Sequence, residues 1–255
     1  MLKSQRRYAI WFGICLLVAV ITIGIYHYRQ SPGNPDALWH IVNQKCVPNQ
    51  EHNGQAAPCR EVNLAAGYVV LKDLIGPLQY LLMPVEKITG IESPRLLADN
   101  TANFFNDAWQ ARHYLVEKHD APIPDSAIAL AINSPAGRTQ NQLHIHISCL
   151  RPDVRQQLDR EASAIGVHWH ALPTALVGHT YLAKRVSAAE LAAQSPFLML
   201  AREVPAAAGD MGDYGLAMAQ LTHGTYVLLA VKRDLLRLNM ASAEEIQDHN
   251  CTILD

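Results

Sequence analysis

The sequence predicts an α+β fold: a mainly antiparallel sheet with a long covering helix and a C-terminal extension, preceded by one transmembrane helix. Three observations lead there. Short β-favouring runs bounded by turn residues recur from residue 68 onward. Between residues 93 and 118, Leu96, Leu97, Phe104, Phe105, Trp109, Tyr114 and Leu115 recur at helical spacings. Residues 8–28 contain no Asp, Glu, Lys or Arg and reach the roughly 20 residues a helix needs to cross a bilayer.

Composition narrows the function classes. Hydrophobic residues make up 49% of the 255-residue chain, enough for a sizeable core and against disorder of the whole. A formal net charge of -2 offers no basic field for a polyphosphate backbone, so nucleic acid is not an expected partner. A small anion needs only a few local donors. No fixed-period repeat or low-complexity tract is present, which argues against a solenoid.

Taken in order, Lys3, Arg6 and Arg7 precede the apolar run and only Arg29 follows it closely. The positive-inside bias therefore places residues 1–7 in the cytoplasm and exports the remainder. Tyr8, Trp11, Tyr26 and Tyr28 stand near the ends of the run, where amphipathic rings favour the membrane interface. A cleaved signal peptide is the competing reading. Its apolar core is shorter, and no A-x-A site follows here, which favours a retained anchor. Residues 29–36, with their Pro, Gly and Asn, form a linker, and helix-like 37–43 opens an exported domain spanning 37–255.

Cys15 lies in the apolar run; Cys46, Cys59, Cys149 and Cys251 lie beyond it and permit three pairings. Cys46 with Cys59 is the simplest, because the stretch between them is polar and turn-rich, and Cys149 would then pair with Cys251. With no C-x-x-C pair, a structural zinc site is the weaker reading.

Residues 68–73 and 79–84 read as neighbouring antiparallel strands about an Ile-Gly-Pro turn. Ser93 and Pro94 supply an N-cap and first-turn proline to the 93–118 helix, whose role is to cover the sheet. Residues 127–133 make a strand, 134–138 a turn, 142–150 a further strand and 155–165 a helix. Farther on, 180–185, 197–202 and 225–232 read as strands, and 206–222, rich in Ala, Gly and Met, as loop plus helix.

The 142–150 strand bears the chemistry. Alternate residues of a strand share a face, so Gln142, His144, His146 and Ser148 line one side and Leu143, Ile145 and Ile147 the other. The apolar row fastens the strand to the core and leaves two imidazoles and an amide for a ligand. Neutral imidazole is a competent nucleophile near pH 7, and its attack at phosphorus divides one hard displacement into two easier ones. The bland alternative is a merely solvated polar face. Alternating histidines can also chelate zinc, with His168, His170 or His179 approaching in space, but no third ligand stands nearby in sequence.

Residues 130–148, LAINSPAGRTQNQLHIHIS, resemble the histidine-triad superfamily, in which an Asn, a Gly-Gln-Ser/Thr turn and alternating histidines follow one another. The likeness runs from roughly residue 60 to 150 and implies a HIT-like sheet whose nucleophile lies seven residues after the turn glycine. From Gly137 that residue is His144, with Gln142 in the first-histidine position and His146 in the third. A turn longer by two residues would instead make His146 the nucleophile and put Ser148 last. Gln142 departs from the pattern, and its side-chain carbonyl would have to orient the imidazole. Asn133, Arg138 and Thr139 fall where relatives approach the phosphates, and Arg138, replacing the usual Gln, offers a bidentate grip. Ser148 closes the polar row as a further substrate contact.

The apolar N-terminus, the TQNQLHIHISCLRPDVR segment and the extension at 151–255 together resemble bacterial CDP-diacylglycerol pyrophosphatases. That resemblance implies an inner-membrane enzyme with a periplasmic domain. It would take CDP-diacylglycerol from the membrane leaflet and hydrolyse it to CMP and phosphatidate without metal or other cofactor. A nucleotidyltransferase using the same phosphohistidine and a non-catalytic exported binding protein are the alternatives. With water as the sole acceptor a strict transferase stalls after one turnover, and a binding protein forms no phosphohistidine.

Overall fold

The computed structural model describes residues 33–221 and 224–255. The expected anchor at 8–28 lies outside them, and no helix among the described residues is long and apolar enough to cross a membrane. Residues 36–255 form a compact unit built on one sheet. Its strands are β1 (Glu61–Asn63), β2 (Tyr68–Lys72), β3 (Gln79–Pro84), β4 (Ile128–Ile132), β5 (Ile145–Leu150), β6 (His170–Ala171), β7 (Tyr181–Val186), β8 (Tyr214–Gln220), β9 (Tyr226–Lys232) and β10 (Gln247–Asp248). Their order is β1-β2-β3-β5-β4-β8-β9-β7-β6, and every pairing is antiparallel. β10 pairs with Leu150 and Cys149 of β5, just past Ser148, where the register with β3 ends.

The pleat sorts β5 between two environments. Ile145, Ile147 and Cys149 join the largest core cluster with Phe105, Trp109 and Phe197. On the opposite face Leu150 packs with Val154, Leu158, Ala243 and Ile246, while Leu81 and Met83 of β3 pack with Val42 and Cys46. The second face therefore carries two separate apolar clusters, and His146 lies between them. One is capped by α1 (Ala37–Ile41), a π turn (Val42–Cys46) and α2 (Val47–Asn53). The other is capped by the segment after β9, which returns across the sheet to β10.

Disulfides join Cys46 to Cys59 and Cys149 to Cys251. The stretch enclosed by the first is partly helical, since α2 runs through it. The second closes a sequence separation of 102 residues and fixes the C-terminal segment against β5.

Four expected elements need correction. The single helix at 93–118 is three pieces: a 3-10 turn (Pro94–Leu97), α3 (Phe104–Gln110) and α4 (His113–His119). Asn103 interrupts it by capping Asn106 N at 3.3 Å and donating to Leu191 O at 2.6 Å, and Arg112 marks the second break with two bonds to Asp125. The apolar face still covers the sheet. Residues 197–202 are helix, not strand: they fall within a segment (Pro196–Glu203) opened by Ser195, whose side chain accepts from Phe197 N, and by Pro196 in the first turn. Phe197, Met199, Leu200, Ala201 and Val204 are buried, so neighbours along the chain are buried together rather than in strict alternation. The region expected as loop plus helix at 206–222 supplies β8, a central strand. Finally, β5 starts at Ile145, so Gln142 and His144 lie in the segment leading into it.

Candidate active site

His144, His146, Asn133, Gly137, Arg138 and Thr139 line one cavity of about 420 Å³ on the second face of the sheet. Its remaining wall comes from Ala37, Leu38, Ile41, Asp73, Leu74, Ile75, Leu81, Gln140 and Glu244. The N-terminal helix is held there by Leu38 N donating to Gln140 Oε1 at 3.1 Å. A larger hollow of about 630 Å³ bordered by Asp107 contains neither histidine.

The two rings stand 4.9 Å apart, centroid to centroid, at 71°. Both are buried, at 7% exposure for His144 and 5% for His146. His144 Nδ1 lies 2.6 Å from the backbone carbonyl of Gln142. A carbonyl can only accept, so the hydrogen is on Nδ1 and the lone pair is on Nε2. Burial lowers the pKa of His144, leaving a neutral ring near pH 7. This is the tautomer and charge state a nucleophilic imidazole requires.

His146 meets different partners. Its Nδ1 lies 2.9 Å from Gln79 Nε2 and 3.2 Å from Glu244 Oε1. Its buried Nε2 has no hydrogen-bond partner among the described residues. Burial lowers its pKa to about 3, outweighing the attraction of Glu244. Glu244 moves down as well: burial raises its pKa, but His249, His146 and Asn133 together bring it to about 2. At neutral pH the pair is thus a neutral imidazole beside a carboxylate.

These shifts predict the pH dependence of stability. Unfolded histidines protonate near pH 6.5, whereas the folded pKa of His146 is about 3 and that of His144 is also lowered, so the unfolded chain holds more protons below pH 6.5. Stability should be fully present above pH 6.5 and fall as the pH drops toward about 3. Each proton contributes a slope of up to about 1.4 kcal/mol per pH unit. Glu244, with its folded pKa depressed, adds a further loss below its ordinary value of 4.5. Urea midpoints measured from pH 7 to pH 4 check this; a flat profile contradicts neutral burial.

Several expected contacts take other roles. Gln142 orients His144 through its backbone; its side-chain Nε2 instead donates to Pro84 O at 2.9 Å and Glu86 O at 3.0 Å, stapling the segment before β5. Ser148 is fully buried and outside the cavity lining, donating to Leu78 O at 2.8 Å. Arg138 reaches the cavity, but its guanidinium is paired bidentately with Glu92 at 2.6 and 2.7 Å. Asn133 is spanned by Glu244, donating to Oε2 at 2.9 Å and accepting from Glu244 N at 3.0 Å. Thr139 is exposed at the rim. The Ser134–Gly137 bend is closed by Ser134 Oγ accepting from Ala136 N and Gly137 N. His179, considered above as a metal ligand, bonds Glu245 at 2.8 Å, and no group of three His, Cys, Asp or Glu among the described residues is arranged to hold a metal ion.

Gln79, Asp73, Glu244 and His249 were not anticipated. His249 Nε2 lies 3.0 Å from Glu244 Oε1, and its Nδ1 lies 3.2 Å from Ser148 Oγ. The pairing of Cys149 with Cys251 was the available signal, because it brings residue 249 beside Ser148.

The solved structure of a DUF4931 family protein from Bacillus cereus ATCC 10987 is similar at 13% identity and a TM-score of 0.44, covering 69% of this chain and 85% of that one. Residues 33–255 match the sequence model of the family described as CDP-diacylglycerol pyrophosphatase. The chain belongs to that family, whose members hydrolyse a phosphoanhydride bond.

Proposed function

We propose that the chain hydrolyses CDP-diacylglycerol by covalent catalysis, with His144 Nε2 as nucleophile. The observation that supports it most is the 2.6 Å bond from His144 Nδ1 to Gln142 O, in a buried neutral ring on the cavity wall. Nε2 attacks the cytidylyl phosphorus, a phosphorus–nitrogen bond forms, and the bridging phosphorus–oxygen bond breaks to release phosphatidate. Water then attacks the same phosphorus, the phosphorus–nitrogen bond breaks with its electron pair returning to His144 Nε2, and CMP leaves as the water's proton passes to solvent.

A phosphate monoester anion departs without a proton, so a neutral His146 suits the first step. If His146 Nδ1 accepts from Gln79, its hydrogen sits on Nε2, the atom with no partner among the described residues. That N–H stabilises charge developing on a phosphoryl oxygen. Asn133 and Thr139 border the same space. Arg138 acts through Glu92, holding the bend in place.

The apolar run at 8–28 anchors the enzyme, and the domain works outside the cytoplasm. Two disulfides support this placement, since such bonds persist in oxidising compartments. Hydrolysis of CDP-diacylglycerol in ¹⁸O-water tests the route. Label is expected in CMP over many turnovers with water as the only acceptor; label in phosphatidate would show attack at the other phosphorus.

A further inference from the structure

We infer that the turn Leu74–Ile75 is a membrane-contacting rim that holds the catalytic cavity open to the lipid leaflet. The inference rests on the lipid substrate of the function proposed above. Leu74 is 101% exposed and Ile75 is 63% exposed. Single exposed aliphatic residues are ordinary on protein surfaces. These two are adjacent, and both line the cavity that contains His144 and His146.

The turn is built to display them. Lys72 Nζ donates to Asp73 O at 2.7 Å and Gly76 O at 2.9 Å, spanning it from below. Ile75 N donates to Asp73 Oδ1 at 3.2 Å, and Asp73 N donates to Gln79 O at 3.0 Å. Gly76 has φ +67, and a Cβ there would stand 2.5 Å from His249 Cβ, so the turn is pressed against the C-terminal segment. Asp73 Oδ2 also accepts from Gln79 Nε2 at 2.8 Å, the same nitrogen that meets His146. The exposed tip is thereby joined to the site through one side chain.

Behind the tip, Leu38, Ile41 and Leu81 continue an apolar wall into the cavity. An apolar strip running from solvent to a nucleophile fits an amphiphile whose phosphates enter while its acyl chains stay outside. The occupant is the phospholipid leaflet that holds the substrate. Leu235, Leu236 and Leu238 form another exposed apolar loop, at 56%, 98% and 83%, but they do not line this cavity.

The test compares full-chain protein reconstituted in phosphatidylcholine vesicles on two substrates: long-chain CDP-diacylglycerol in the bilayer and a short-chain, water-soluble form. For Leu74→Ser/Ile75→Ser, the ratio of kcat/KM on the bilayer substrate to that on the soluble one is expected to fall at least about tenfold. For Leu236→Ser/Leu238→Ser the ratio should hold. An unchanged ratio in the first variant overturns the inference, as does an equal fall in the second. Failure of the unaltered protein to hydrolyse either substrate would instead remove the proposed function. A readout independent of turnover is Leu74→Trp, whose added emission should be quenched by brominated phosphatidylcholine; emission indifferent to bromine also overturns the inference.

Discussion

His144→Ala is expected to lower kcat for CDP-diacylglycerol by at least about 10⁴-fold, because removing a covalent nucleophile abolishes the intermediate and leaves only binding and electrostatic assistance. The fold should survive. The main structural loss is one buried hydrogen bond to Gln142 O, a cost of about 1–2 kcal/mol. Stopping wild-type turnover in its first cycle and mapping the cytidylylated peptide decides between the two histidines. A phosphorus–nitrogen bond is labile in acid and stable in alkali, so the label should survive alkaline digestion and map to His144. Label on His146 would favour the longer-turn register, although the pairing of His146 Nδ1 with Gln79 and Glu244 gives that ring a different surrounding.

What could be read in advance followed the physics of short-range pattern. Residues 79–84 were legible as β3 because Gln79 and Pro84 bound a continuous apolar run. His144 and His146 were legible as neighbours because strand periodicity and the resemblance agreed. Elsewhere tertiary contacts outweighed local preference. β8, with Gly215, Ala217 and Ala219, has the composition of a helix or loop, yet it is a central strand crossed by the returning C-terminal segment. A Cβ on Gly215 would lie 2.4 Å from Ala241 O, so only glycine lets that segment lie down. Residues 197–202 misled for the opposite reason: their apolar density suits a strand or a buried helix equally, and the Ser195–Pro196 opening decided between them. Glu244 carried no local signal, since its partners Asn133 and His146 are distant in sequence.

Glu244 is also where the second large effect is expected. Its carboxylate takes Asn133 Nδ2 at 2.9 Å and His249 Nε2 at 3.0 Å, and it stands 3.2 Å from His146 Nδ1. Glu244→Ala leaves Asn133 and His249 without their common acceptor and should cost about 2–3 kcal/mol, less than the loss for a fully buried pair because the side chain is 23% exposed. Glu244→Gln keeps the shape and removes the charge, so it separates positioning from packing. Its kcat should fall about 10²-fold, as the charge that helps hold Gln79 Nε2 against His146 is lost. The carboxylate also raises the pKa of both site histidines against the larger lowering effect of burial. Without that charge each ring resists protonation further, and the acid limb of kcat/KM should move to lower pH. A purely structural Glu244 would lower the plateau and leave the limb where it was. A limb that stays in place or moves to higher pH would therefore detach Glu244 from the chemistry, while the predicted displacement would show that a residue supplied by the C-terminal extension tunes the pH range over which the site histidines stay neutral.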